Sequence, residues 1–354
     1  MLVPYIEINQ PIGTFYITKL IPETILACTK VNRRSESYIG IQRSLDNKKV
    51  NQIEDYCDDP DATFPTPIII AVDSKEVDIN GNNIEFSEKR VIGEIIDGQH
   101  RIEGLRNSSN KLKFELPVVF MFDLTSEEKA YVFSVINSNQ KPVSKSLIYD
   151  LFGLSDKRSP YRTAHEIARG LNTDEESAFY GKLKMLGKKE GKESSLSQGT
   201  FVYYLLKCIS KNPDKDSIDI KNKKELIDDE SLPLRYYFIQ NKDEIIYKVI
   251  RNYFNAVSRV FSNEWEKSEE FILARSTGYG AFMRAFPYVY NIGDERNTLT
   301  EEFFFEIFNS LKDDFYTKYK FTSDVFSSNE QEQNRLSKII IDLITKTVDF
   351  KGWA

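Results

Sequence analysis

Five consecutive residues, Asp97-Gly98-Gln99-His100-Arg101, have types and spacing that could do chemistry. They follow an apolar run, Val91-Ile92-Gly93-Glu94-Ile95-Ile96, that reads as a strand, and they open a helical pattern over about 100–107. A strand that turns through Asp-Gly into a helix presents backbone N–H groups at the positive end of the helix dipole, a ready anion site. Gly98 permits close approach or a positive φ. Arg101 can grip a phosphate with its two-pronged fork, and His100 can donate to an oxygen or shuttle a proton. Asp97 can hold a metal through water, or orient a water or a ribose hydroxyl. Gln99 is neutral and can position a nucleophile without being one. The bland alternative is a tight Asp-Gly turn with Arg101 paired to a carboxylate.

The elements that must position this turn are legible nearby. Residues 12–20 (IGTFYITKL) alternate like a strand, and 45–57 (LDNKKVNQIEDYC) put Val50, Ile53 and Cys57 on one helical face with Asp46 able to cap. A Pro-rich entry, Phe64-Pro65-Thr66-Pro67, leads into a buried-strand pattern at 68–72; proline is tolerated there because the lost N–H lies outside the ladder. Asn80-Gly81 reads as a hairpin turn before residues 84–86. A further strand is expected within 114–122, and Thr125 with Glu128 forms a capping box that opens the next helix. The sheet around the turn is expected from 68–72, 91–96 and 116–122. From about 155 the pattern turns helical, with helices over 243–266, 301–316 and 331–348, and solvated loops at 187–193 and 211–230. The expected architecture is α+β: a domain at 1–155 with a mixed sheet, then a mainly helical domain at 156–354.

Composition narrows the function classes. The chain has 354 residues, 40% hydrophobic and 13% aromatic, enough for a sizeable core. A formal net charge of -6 disfavours broad electrostatic attachment to DNA, although a local basic stripe suffices for contact. Three scattered cysteines, Cys28, Cys57 and Cys208, and only two histidines exclude the usual zinc spacings and a disulfide framework. No signal peptide or spanning segment is expected, so the reading is a soluble cytoplasmic protein. Nothing matches the G-x-x-x-x-G-K-[ST] phosphate loop.

Other residues carry alternative readings. Asn137, Asn139, Gln140 and Lys141 leave a helix before Pro142 and could close over a nucleotide, or simply form a C-cap. Gln42 and Arg43 could supply a base or phosphate contact, or begin a solvated helix. Glu94, a carboxylate among Ile and Val, is a general base, a metal ligand or an edge-strand residue facing solvent. His165 reads as a surface or interdomain histidine. Lysines 182, 184, 188, 189 and 192, with Phe179 and Tyr180, read as a solvated loop or a phosphate-backbone contact.

The string IIDGQHRIEGL at 95–105 resembles the signature of the DGQHR-domain family, which includes the B protein of the bacterial DNA sulfur-modification (phosphorothioation) cluster and a relative in clusters that insert 7-deazaguanine derivatives into DNA. Residues 40–72 and 135–153 are similar to the family's two flanking boxes, and STGYGAFMRAF at 276–286 resembles a segment of its helical half. More remotely, the strand–turn–helix box resembles the phosphate-binding box of the ParB/sulfiredoxin-like fold, whose Arg-rich versions bind nucleoside triphosphates. Sulfiredoxins place a reactive cysteine where this chain has Gln99, so the resemblance implies nucleotide binding without thiol chemistry. It implies an accessory protein of a DNA-modification or defence system that binds, and hydrolyses, ATP or another nucleoside triphosphate with Mg²⁺. In that reading Gly98, His100 and Arg101 hold phosphates, Asp97 or Glu94 handles metal or water, and Asn137, Gln140 and Lys141 close the site. The alternative is a DNA-binding transcriptional regulator of its own modification cluster, contacting DNA through the helical half. The implied partners are a nucleotide, DNA and other proteins of a modification complex, with no membrane.

Overall fold

The computed structural model describes residues 1–31, 45–138, 157–185 and 195–350, with side-chain placement at 137–138 and 348–350 left aside. Contacts divide the chain into two compact units, Met1–Pro142 and Val143–Ala354, which puts the division earlier than the sequence boundary at 155/156.

The first unit is built on a six-stranded mixed sheet. Its strands are β2 (Ile6–Gln10), β3 (Gly13–Leu20), β4 (Thr29–Lys30), β5 (Ile68–Val72), β8 (Gly93–Asp97) and β9 (Leu116–Phe122), in the order β2-β3-β9-β5-β8-β4. β5 runs parallel to β9 and antiparallel to β8, so the three strands expected around the turn form the centre of the sheet. Ile68, Ile70, Ile95, Val118 and Phe120 are fully or nearly buried against helices α1 (Pro22–Cys28) and α3 (Gln99–Asn107) in one core. The Asn80-Gly81 hairpin is present, but it joins β6 (Val77–Asn80) to β7 (Asn83–Phe86) in a separate three-stranded sheet with β1 (Leu2–Pro4). That sheet depends on pairing across some eighty residues, which local pattern does not show.

Helix α2 (Asn47–Tyr56) starts where the sequence placed it, because the Asp46 carboxylate accepts from the backbone N–H groups of Lys48 and Lys49. The capping box before α4 (Ser126–Ser138) also forms: Glu128 accepts from the Thr125 N–H, and the Glu128 N–H donates back to the Thr125 hydroxyl.

The second unit is helical. It comprises α5 (Pro160–Thr173), the two-residue strands β10 (Leu183–Lys184) and β11 (Leu196–Ser197), and α6 (Gln198–Ile209) through α13 (Glu330–Phe350). The expected helix at 243–266 is two helices, α9 (Asp243–Val260) and α10 (Ser262–Glu266), broken at Phe261. The stretch 211–230, expected as loop, contains α7 (Pro213–Lys221): Asn212 caps it, and Asp216 is buried against the guanidinium of Arg235 at 2.7 Å. Its charged composition hid a helix whose acidic residue is neutralised from another element. Phe179 is buried in edge contact with Phe201, Phe254 and Trp265, so it belongs to the core and not to a base-stacking platform. His165 is likewise buried, its Nδ1 2.7 Å from the Gln198 amide, which corrects the surface reading.

Candidate functional site

The turn after β8 is assembled by three constraints. Gly98 sits at φ +101 as the N-cap of α3, and a Cβ there would lie 2.4 Å from the Ile68 Cδ1 atom, so only glycine fits. Arg101 lies one helical turn on and returns its fork to the sheet. One terminal nitrogen reaches the Asp97 carboxylate at 3.0 Å and the Pro67 carbonyl at 2.9 Å. The other donates to the carbonyl of Thr66 and, at 2.8 Å, to its hydroxyl. These carbonyls precede the first residue of β5 and lie outside its ladder, so Arg101 supplies the donors that the sheet does not. The Arg101 side chain is only 16% exposed, and burial pulls its guanidinium below the ordinary value while Asp97 pushes it back up.

This geometry corrects one expectation about an individual side chain. Arg101 does not hold its fork out for a phosphate; both terminal nitrogens are spent on the chain's own oxygens. Gln99 beside it is 5% exposed.

His100 points away from the sheet, to α2. Its Nε2 accepts the backbone N–H of Asp46 at 3.2 Å, which requires an unprotonated Nε2 and leaves the Nδ1–H as the free donor. Burial and the nearby Lys49 lower the His100 pKa, and Asp46 and Asp97 oppose the change without cancelling it. His100 is therefore neutral at pH 7 and able to donate, but it cannot take up a proton without breaking its bond to Asp46.

The Asp46–His100 bond also registers two helices. Further along, Gly104 of α3 lies so close to α2 that a Cβ would fall 2.5 Å from Ile53. At the far end, the Cys57 thiol meets the Ser108 hydroxyl, and the Asn110 amide donates to Asp58 at 2.8 Å. The contacts run start to start and end to end, so α2 and α3 are parallel. Both helix starts meet at Asp46 and His100, with Lys49 close enough to act on the imidazole. No side chain caps the start of α3 among the described residues. Sequence reasoning missed Lys48 and Lys49; the signal was present in Asp46-Asn47-Lys48-Lys49, but nothing local ties α2 to the turn.

Glu94 lies elsewhere. Ile95 faces the α3 core, so its neighbour Glu94 faces the opposite side of the sheet, where it pairs with Lys30 at 3.5 Å and with Lys129 of α4 at 3.2 Å. It shares no partner with Asp97. Asn137 falls in the last turn of α4; Asn139, Gln140, Lys141, Gln42 and Arg43 lie outside the described residues. Among the described residues no three His, Cys, Asp or Glu side chains gather as a metal site. The three cysteines are free and buried, with the Cys28 and Cys57 thiols pushed up to about 11 and Cys208 to about 12, all by burial, so none is a ready thiolate.

A family model described as DndB, DNA-sulfur modification-associated, matches residues 3–295, spanning all but two residues of the first unit and the second through α11 (Ser276–Glu295). The chain belongs to the DndB family. Membership ties it to a DNA sulfur-modification system, one of the two branches that the resemblance of residues 95–105 left open. No curated protein matches it. In this DndB-family chain the 97–101 signature is a structural knot whose outer surface is the joint start of two helices. Among the described residues no helix is long and apolar enough to cross a membrane.

Proposed function

We propose that this protein serves DNA sulfur modification by binding a nucleoside triphosphate at the joint N-terminal end of α2 and α3. The observation that carries the reading is the parallel registration of the two helices by the Asp46–His100 bond. The Asp46 carboxylate already caps α2, so the uncapped start of α3 supplies the available positive charge, roughly half a unit. Lys48 and Lys49 add two ammonium groups, the His100 Nδ1–H adds a directed donor, and the backbone at the start of α3 has no side-chain cap. The resemblance of the box to nucleotide-binding ParB/sulfiredoxin-like versions supports a triphosphate over a smaller anion.

The roles differ from the simplest reading of the signature. Asp97, Gly98 and Arg101 shape the site from behind, and the phosphates meet α3 backbone, His100, Lys48 and Lys49. Mg²⁺ would accompany the nucleotide, held by its phosphates, and supply charge neutralisation for phosphoryl transfer, since the Asp97 carboxylate is committed to Arg101. Hydrolysis would need a group to orient water, and the His100 Nδ1–H is the donor left to do so. The test is calorimetric titration of the full chain with ATP and Mg²⁺, followed by a phosphate-release assay. Absence of binding by any nucleoside triphosphate refutes the reading; binding without release restricts it to a nucleotide sensor.

A further inference from the structure

The second unit holds a cavity of about 400 Å³, within the usual size of small-molecule sites. It is lined by Thr200, Tyr203 and Tyr204 of α6, Ser276 of α11, and Glu330 and Gln333 of α13. A polar network joins the three helices. The Tyr204 hydroxyl donates to the Gln333 side-chain oxygen, and the Gln333 amide donates to the Ser276 carbonyl at 3.2 Å. Gly280 makes room for this network: a Cβ there would lie 2.8 Å from the Gln333 Oε1 and 2.9 Å from the Tyr204 hydroxyl oxygen. Glycine inside a helix costs stability, and here the space it opens is taken by polar atoms and not by apolar packing. Gly280 belongs to the segment STGYGAFMRAF at 276–286, whereas Glu330 and Gln333 lie beyond the family match at 3–295.

The lining suits a neutral ligand. Among its described residues Glu330 is the only charged one, and the Arg284 guanidinium pairs with it at 2.7 Å. A phosphate would meet no cation on this lining. What the cavity offers is a tyrosine ring beside hydroxyl groups with capacity to spare. The Ser276 hydroxyl has no hydrogen bond among the described residues. The hydroxyls of Ser197 and Thr200 share one bond at 2.7 Å, which leaves one of their two protons over. A flat ring with donors and acceptors on its edge, joined to a hydroxylated sugar, matches both features. We propose that this cavity binds a nucleoside unit, its base against Tyr203 and its polar edge or sugar held by Ser276 and the Ser197–Thr200 pair. The unit is either a free nucleoside or one nucleoside of a single strand.

The test titrates the full chain calorimetrically with adenosine, guanosine, cytidine and thymidine, none of which carries a phosphate, and with a single-stranded oligodeoxynucleotide of mixed sequence. Hydrogen exchange then locates the contact. Protection is expected at 197–204, 276–280 and 330–333. Protection of these segments by nucleosides assigns a free ligand, and protection by the oligodeoxynucleotide alone assigns a base within a strand. Tyr203→Ala should weaken the binding about tenfold, the loss of one base–aromatic stack. Ser276→Ala removes a hydroxyl that has no bond in the fold to lose, and should weaken binding several-fold even where Tyr203→Ala fails to fold by circular dichroism. Lys48→Ala with Lys49→Ala should leave nucleoside affinity unchanged, which separates this cavity from the phosphate site of α2 and α3. Absence of protection at these segments by both probes overturns the proposal, and so does wild-type affinity in Ser276→Ala. Either failure leaves the nucleotide reading standing, since that reading rests on phosphate contacts in the first unit.

Discussion

Replacing Arg101 by alanine separates a phosphate-gripping arginine from one that holds the fold. In the structure its fork satisfies the Thr66 and Pro67 carbonyls, the Thr66 hydroxyl and the Asp97 carboxylate. Removal leaves a carboxylate 29% exposed and two carbonyls without these donors. Breaking one side of a fully buried pair costs about 3–5 kcal/mol, and partial solvation at this site brings the expected loss to about 2–4 kcal/mol. Lysine cannot span the same acceptors from a single point charge and should recover less than half of that loss. Arg101→Ala combined with Asp97→Asn should be less damaging than the sum, because the second change removes the stranded charge. Residues 1–142 contain no tryptophan, so the first unit has no tryptophan fluorescence of its own. Urea unfolding followed by hydrogen exchange in peptides covering 64–72 and 93–107 does. A variant with wild-type protection there, but with nucleotide affinity reduced tenfold or more, would refute the structural assignment and restore Arg101 as a ligand contact.

Other outcomes follow from the same geometry. His100 has a folded-state pKa below its unfolded value near 6.5, so the unfolded chain binds more protons. Its contribution is fully present above pH about 6.5 and is lost as the pH falls through the folded pKa. His100→Gln should flatten that part of the stability–pH curve measured between about pH 7.5 and 5.5; an unchanged slope would show that His100 is not held neutral. Gln99→Cys should lower the melting temperature of this unit, since a nearly buried side chain is exchanged for a smaller one that leaves a void; an unchanged melt would place Gln99 at the surface. Gly98→Ala should cost at least about 1–3 kcal/mol from its positive φ alone, with the clash on Ile68 added. Wild-type stability by urea titration would contradict the turn geometry.

Local pattern carried much of the first unit. β5, β9, the Asp46 cap of α2 and the Thr125–Glu128 box each depend on residues within one turn or one strand and form where expected, while β8 starts two residues later than expected and takes in Asp97. The errors share a cause: side chains satisfied by distant residues. Arg101 looks free in the string Asp97-Gly98-Gln99-His100-Arg101, because its acceptors at Thr66 and Pro67 lie more than thirty residues earlier. His100 looks catalytic until Asp46 occupies its Nε2. Glu94 looks like a member of the turn, yet strand alternation turns it to the other face of the sheet. In the second unit, Asp216 reads as solvated until Arg235 reaches it across nineteen residues. The value of the signature for function was its position at a helix start, while its individual side chains were mostly committed to the fold.

The central claim is that phosphates are held where α2 and α3 begin. Calorimetric titration of ATP with Mg²⁺ into the full chain and into its Lys48→Ala, Lys49→Ala variant tests it most directly, with hydrogen exchange locating the contact. The account predicts binding that the double change weakens about tenfold or more, with ligand-induced protection at 46–50 and 98–102. Equal affinity in the two proteins, or protection confined to other segments, would contradict it.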